Sequence, residues 1–419
     1  MTSPPRSTAL DVAWCRRQFP ALARQSGGRP VVYFDGPAGS QVPERVIGAV
    51  AGYLAHTNAN HGGVFATSLQ SDRLLEEAHR GVADLLGTAD PETVVFGPNM
   101  TSLTFALSRA LARTWRPGDE VVVCRLDHDA NVTPWVLAAR DAGAAVRHVE
   151  IRAGDCTLDT DDLAAKLSPR TKLVAAACAS TAVGTVNPIR KIVRLAHDAG
   201  ALVFLDAVHY APHALMDVTA WDCDFLVCSA YKFFGPHVGV LWGRRELLEE
   251  LPAYKVRPAP EAIPGRWMTG TQNHEGIAGT LAAVEYLADL GRTTAPEAAG
   301  RRAALAAAYW AIGAYERDLA GGLLAGLAEL AEVRVWGITE PARSAERVPT
   351  VAITHRRLGP EALAEHLAAR GIFTWHGNFY ALPLSEALGL EPEGMVRIGL
   401  LHYNTAEEVE RLLEALAEL

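Results

Sequence analysis

The sequence predicts an α/β chain built on a mostly parallel sheet with helices on both faces. Three observations carry that expectation. Between about residues 90 and 240, apolar runs at 93–96, 120–124, 173–178, 202–205 and 224–228 alternate with helical segments at 101–114, 133–142 and 189–199. The runs are short and apolar throughout, which suits strands buried on both faces. Turn residues such as Gly97-Pro98 and Gly235-Pro236 punctuate them, leaving polar groups at strand ends, where sheets of this kind bind ligands.

The whole chain fits this class. At 419 residues it has room for two to three domains and a large core. Apolar content of 49%, charged content of 21% and a net charge of −9 lie in the soluble globular range. The acidic balance, with no basic run interleaved with aromatics, argues against nucleic-acid binding. No uninterrupted apolar stretch reaches the roughly 18 residues of a membrane span, and no apolar core of a secretory signal follows Met1 to Arg6. Six cysteines are scattered without CxxC spacing. They read as small buried hydrophobes of a cytoplasmic protein, not as disulfides or a zinc site.

In chain order, a helix is expected over about 11–24, ended by Gly27-Gly28. A strand at 31–34 leads into the loop Asp35-Gly36-Pro37-Ala38-Gly39-Ser40, and the loop Asn58 to Gly63 precedes a helix containing Leu74, Leu75, Ala78 and Val82. Gly97 to Ser102 joins a strand to a helix, whose free N–H groups can hold a phosphate or simply be capped. Asp127-His128-Asp129 invites a metal reading, but the ligand set is incomplete. Residues 280–330 read as long helices broken near 291–296, followed by strands at 333–336, 350–354 and 396–400 and a helix at 360–370. Thr405 and Glu408 form a capping box for a last helix with an apolar stripe at Val409, Leu412, Leu413 and Leu416.

The chemistry centres on Ser229-Ala230-Tyr231-Lys232-Phe233-Phe234-Gly235-Pro236, which follows a buried run. Desolvation at a strand end makes it easier for a lysine to lose its charge. A neutral amine forms a Schiff base with an aldehyde, and the common aldehyde cofactor is pyridoxal phosphate. Asp206 ends another apolar run, where a carboxylate could serve the pyridinium nitrogen of that cofactor or cap a turn. Together the two favour the cofactor reading.

Asp206-Ala207-Val208-His209 followed by Ser229-Ala230-Tyr231-Lys232 resembles the class V aminotransferases, in particular the group II cysteine desulfurases. The resemblance runs from Tyr33-Phe34-Asp35-Gly36-Pro37-Ala38 to Arg397-Ile398-Gly399 and Tyr403-Asn404-Thr405. It implies the type I fold of pyridoxal-phosphate enzymes. A seven-stranded large domain would span 31–285 and a small α+β domain 286–419, joined by an N-terminal helical segment at 1–30. It implies a C2 homodimer with composite sites, in which Thr271 reaches the partner's cofactor phosphate.

The resemblance also implies roles for individual residues. Asn99, Met100 and Ser229 hold the phosphate, and His128 stacks on the cofactor ring. Thr181, where the family has asparagine, and His209, where many desulfurases have glutamine, serve the phenolic oxygen. Arg397 takes the substrate α-carboxylate, as a planar guanidinium can. Ala38 and His61 border the substrate, although an ordinary turn and a loop histidine fit those positions too.

One departure bears on the reaction. A desulfurase needs a loop cysteine as sulfur nucleophile. The matching segment, Gly371-Ile372-Phe373-Thr374-Trp375-His376-Gly377-Asn378-Phe379-Tyr380-Ala381, has none, and no cysteine follows Cys228. The expectation is a pyridoxal-phosphate enzyme performing β-elimination on cysteine or an S-substituted cysteine, with His376, Asn378 and Tyr380 shaping the leaving-group pocket. An aminotransferase or epimerase acting on another amino acid, or a non-catalytic cofactor-binding protein, are the alternatives.

Overall fold

A computed structural model describes residues 9–419. Its centre is a seven-stranded sheet of β1 (Val94–Gly97), β2 (Glu120–Cys124), β3 (Ala145–Val149), β4 (Thr171–Ala177), β5 (Leu202–Asp206), β6 (Phe225–Ser229) and β7 (Gly239–Gly243). The spatial order is β1-β7-β6-β5-β4-β2-β3. β7 runs antiparallel to both of its neighbours, whereas β6-β5-β4-β2-β3 are mutually parallel. Successive residues of these strands enter different apolar cores. Val122, Cys124, Val203 and Leu205 join one; Val121, Val123 and Phe204 join the other. This is the period of two expected of a sheet buried on both faces.

Two of the seven strands lie outside the sequence expectation. β3 carries Arg147 and His148 and is half exposed at the sheet edge, so it lacks the continuous apolar run of its neighbours. β7 has only three apolar residues between Gly239 and Gly243, and glycine at both ends weakens its strand signal.

A second, four-stranded antiparallel sheet comprises β8 (Val333–Trp336), β9 (Thr350–His355), β10 (Trp375–Gly377) and β11 (Met395–Gly399), in the order β8-β9-β11-β10. Its core holds Val351, Ile353, Val396 and Ile398 with Leu319, Leu323, Leu412 and Leu416 from two helices. The early strand Val32–Tyr33 pairs in parallel with Ile372–Phe373, so Val32 and Phe34 enter this same core. The expected capping box of Thr405 and Glu408 is present on helix Ala406–Ala417.

Helices His274–Thr294 and Gly300–Ala328 pack closely, and the break between them lies at 295–299. A Cβ on Gly291 would sit 1.7 Å from the Ala304 carbonyl oxygen, so only glycine permits this approach.

The N-terminus departs from expectation. Its first eight residues lie outside the described residues. The helix covers only Val12–Arg17, and Pro20–Ala23 forms a separate 3-10 turn. Phe19 is extended at φ −109° and ψ 100°, as a residue before proline tends to be. Gly27 and Gly28, both at positive φ, turn a small hairpin between Gln25–Ser26 and Arg29–Pro30 and do not cap a helix. Arg16 ties this segment to the last helix through Tyr403 O and Glu408.

Candidate active site

Lys232 closes a 3-10 turn immediately after β6 and is 7% exposed. Burial, and then the positive charge of Arg397, lower its pKa to about 7 against the opposing charge of Asp206. At neutral pH much of this amine is therefore uncharged, the state a nucleophile or base requires. Nζ donates to the Pro37 carbonyl, which ties the loop after Val32–Tyr33 to the sheet. Asp206 ends the adjacent strand β5. Burial pushes its carboxyl up to about 6, against the Val208 N–H bonded to Oδ1 at 2.8 Å and the charge of Lys232.

His128 follows β2. The Ala130 N–H donates to its Nδ1 at 3.0 Å, so a neutral ring carries its proton on Nε2. Burial, then Lys232 and Arg397, lower its pKa to about 4, which keeps the ring neutral. Beside it the buried Asp127 accepts from Asn131 Nδ2 at 2.8 Å, and burial raises its carboxyl far above the usual range.

The turn expected to hold a phosphate lies where β1 meets helix Met100–Ala112. Asn99 caps the helix by accepting from the Ser102 N–H at 2.9 Å, and the Met100 N–H donates to Ser229 Oγ at 3.1 Å. Gly239 backs this turn: a Cβ there would lie 2.4 Å from the Asn99 carbonyl carbon.

Arg397, on β11, is buried, and its pKa falls to about 9 because of desolvation, opposed by Tyr231 and Asp35. Its Nη1 donates to the carbonyl oxygen of Thr181 at 2.8 Å and to Thr181 Oγ1 at 3.2 Å. Thr181 thus turns toward the guanidinium, a contact the sequence reading did not contain. His209 is 3% exposed; its Nε2 lies 2.9 Å from Thr350 Oγ1, and its Nδ1 has no partner.

The remaining predicted positions divide. Ala38 lies beside Pro37 in the loop that Lys232 touches. Tyr380 stacks on His128, with centroids 5.4 Å apart, and its carbonyl accepts from the Asp129 N–H at 2.7 Å. Asn378 supports that loop by accepting from the Tyr380 N–H and donating to Glu391. His61 instead neighbours Asp72 and His274, and Thr271 is exposed on its own loop. His376 is exposed and sits opposite Val396, whereas Trp375 sits opposite Arg397, so the strand alternation turns His376 away from the guanidinium.

Sequence reasoning missed Phe379, whose ring lies under the Arg397 guanidinium, and Asp35, a buried carboxyl pushed up to about 6. Both stand in segments already singled out, but nothing local marked them.

A profile described as aminotransferase class-V matches residues 32–412. The chain belongs to the class V aminotransferase family. Among this family member's relatives, a cysteine desulfurase of Pectobacterium atrosepticum is 30% identical, covering 96% of this chain and 97% of its own length. One of Synechococcus elongatus is 32% identical over 99% of this chain, which spans 64% of that longer protein. Solved cysteine desulfurases of Thermococcus onnurineus and Escherichia coli superpose with TM-scores of 0.85 and 0.83, at 27% and 28% identity, each covering 98% of both chains. This class V aminotransferase family member is a pyridoxal-phosphate-dependent enzyme acting on an amino acid.

Its residues fit that cofactor. Lys232 offers a buried, substantially neutral amine, Gly239 lets its strand pack directly against the Asn99 backbone at the helix N-terminus, and His209 Nδ1 and Arg397 Nε are buried polar atoms without partners. Among the described residues no helix is long and apolar enough to cross a membrane.

Proposed function

We propose that this enzyme is a C–S lyase that carries out β-elimination on L-cysteine or an S-substituted cysteine. One observation carries the reading: Lys232, Asp206, His128 and Arg397 are all present, but the segment 371–381 has no cysteine. The six cysteines elsewhere are all buried, and burial pushes the Cys15 thiol to about 12 and Cys156 to about 11. Persulfide chemistry requires an accessible thiolate, and none of these supplies one.

Bound pyridoxal phosphate supplies an electron sink for the carbanion formed at the substrate Cα. The backbone around Asn99 and Met100, with Ser229, would hold the phosphate at the helix N-terminus. Asp206, ionised above about pH 6, holds a proton at the cofactor ring nitrogen. His128 presents a neutral ring to stack on that cofactor. His209 Nδ1, which has no partner, would serve the phenolic oxygen, and the Thr181 hydroxyl, accepting from Arg397, keeps its own hydrogen free to donate there. Arg397 orients the substrate carboxylate, and Lys232 Nζ removes the Cα proton. Loss of the β-sulfur and hydrolysis give thiol, or sulfide from cysteine itself, with pyruvate and ammonia.

The same reading places residues 31–285 in a large cofactor-binding domain and 286–419 in a small one, in a cytoplasmic C2 homodimer. Thr271, exposed in its own chain, would complete the partner's phosphate site. The test is to mix the holoenzyme with L-cysteine and several S-alkyl cysteines and assay pyruvate, thiol and the final cofactor form. Pyruvate with thiol and an unchanged cofactor supports the lyase. Pyridoxamine phosphate without pyruvate makes it an aminotransferase, racemised substrate makes it an epimerase, and no turnover with any amino acid makes it a binding protein.

A further inference from the structure

A cleft of about 1030 Å³ opens between helix Gly300–Ala328, strands β8 and β9, and the 3-10 turn Pro341–Glu346. None of Lys232, Asp206, His128 or Arg397 lines it. Its lining carries four guanidinium groups, Arg317, Arg334, Arg347 and Arg356, against two carboxylates, Glu316 and Glu340. Glu316 is already engaged, with Oε2 2.8 Å from Nδ1 of the buried His213.

Arg347 is the unusual member. It is 7% exposed, and its Nη groups donate to the carbonyl oxygens of Ile338 and Thr350, yet Nε has no hydrogen-bond partner. Among the described residues no carboxylate forms a salt bridge with it. Buried charges are ordinarily paired, so this guanidinium lacks a counter-charge. Arg317 and Arg356 are exposed and likewise form no salt bridge among the described residues, while Arg334 lies 3.7 Å over the Trp336 ring. Leu324 and Val335 supply apolar wall between the charged groups.

We propose that this cleft binds a small organic carboxylate, with its anionic end at Arg347 and the rim arginines, and its apolar body against Leu324 and Val335. The volume suits a ligand of metabolite size. Planar guanidinium groups favour a carboxylate, and the apolar wall favours an organic anion over an inorganic one.

Hexanoate is a suitable probe, because it combines a carboxylate with an apolar body. The experiment follows the unfolding temperature of the holoenzyme against hexanoate, with sodium chloride or potassium phosphate at matched ionic strength as controls. A ligand that binds only the folded state should give a saturable rise of about 2 °C or more. That rise should be lost in the Arg317→Gln/Arg356→Gln double variant, whose exposed side chains hold no part of the fold. It should be kept in Arg397→Gln, which removes the carboxylate site beside Lys232. No saturable rise beyond the controls, a rise retained by the rim variant, or a rise lost with Arg397→Gln would each overturn the proposal.

Discussion

The Arg397 guanidinium lies over the Phe379 ring, 4.3 Å from its centroid, while its Nη1 holds the Thr181 carbonyl at 2.8 Å. The arginine proposed to orient the substrate is thus fixed from two segments far apart in sequence. Phe379 and Tyr380 both adopt positive φ, 56° and 58°, conformations that side chains other than glycine adopt only when the surroundings hold them. Asn378 and the Asp129 N–H provide that support.

Removing the ring should therefore weaken substrate orientation. A desolvated cation–π contact contributes about 1–2 kcal/mol, so Phe379→Ala should lower kcat/KM roughly 5- to 30-fold, mainly through KM, and Phe379→Tyr should restore it. Steady-state kinetics of the three forms check this, and a change below about twofold would exclude the ring from the role.

The cysteines should be silent in the native state. Every thiol is buried, and those of Cys124 and Cys178 sit far above the usual range because of burial. A thiol-reactive chromophore should register essentially none before unfolding and six afterwards. Incubation with L-cysteine should leave no protein-bound persulfide. A rapidly reacting native thiol, or bound sulfane sulfur, would contradict the lyase reading.

Gly239→Ala tests the phosphate cradle. The new methyl would press on the Asn99 backbone, which cannot yield as a flexible side chain would. Cofactor affinity, measured by titrating apoprotein with pyridoxal phosphate, should fall about tenfold or more, a loss of roughly 1.4 kcal/mol. Unchanged affinity would move the phosphate elsewhere.

Burial of Lys232 also predicts a pH signature in the cofactor-free protein. Its folded pKa, about 7, lies below the 10.5 of a solvated lysine, so between these values the unfolded chain holds more protons than the native one. Stability tied to this group therefore rises with pH across that window, and the full penalty applies below about pH 7. Lys232→Met removes the penalty. Its unfolding temperature should exceed that of the unaltered apoprotein most at pH 6, and the gap should shrink toward pH 10. A gap independent of pH would show that Lys232 keeps its ordinary pKa.

Much of the site was legible because its signals are local. An apolar run ending in Asp206, another ending just before Lys232, and a Gly-Pro-Asn turn opening a helix are each contained within about ten residues. Desolvation and backbone geometry act at that range. The two pieces of the N-terminal segment were misread as one helix because Pro20 acts on Phe19, a local effect given too little weight.

The sequence by itself determined the alternation of strands and helices, the lysine and carboxylate at adjacent strand ends, and the absence of a thiol from the 371–381 segment. Hydrophobic period, turn chemistry and residue identity are properties of short stretches. Only the tertiary structure decided that Thr181 bonds Arg397, that His209 meets Thr350, that Phe379 lies under the guanidinium, and that His376 faces away from it. Three of these pair residues from different elements, and the fourth depends on which strand pairs with β10. Packing of the two sheets sets their distances, and no spacing along the chain encodes it.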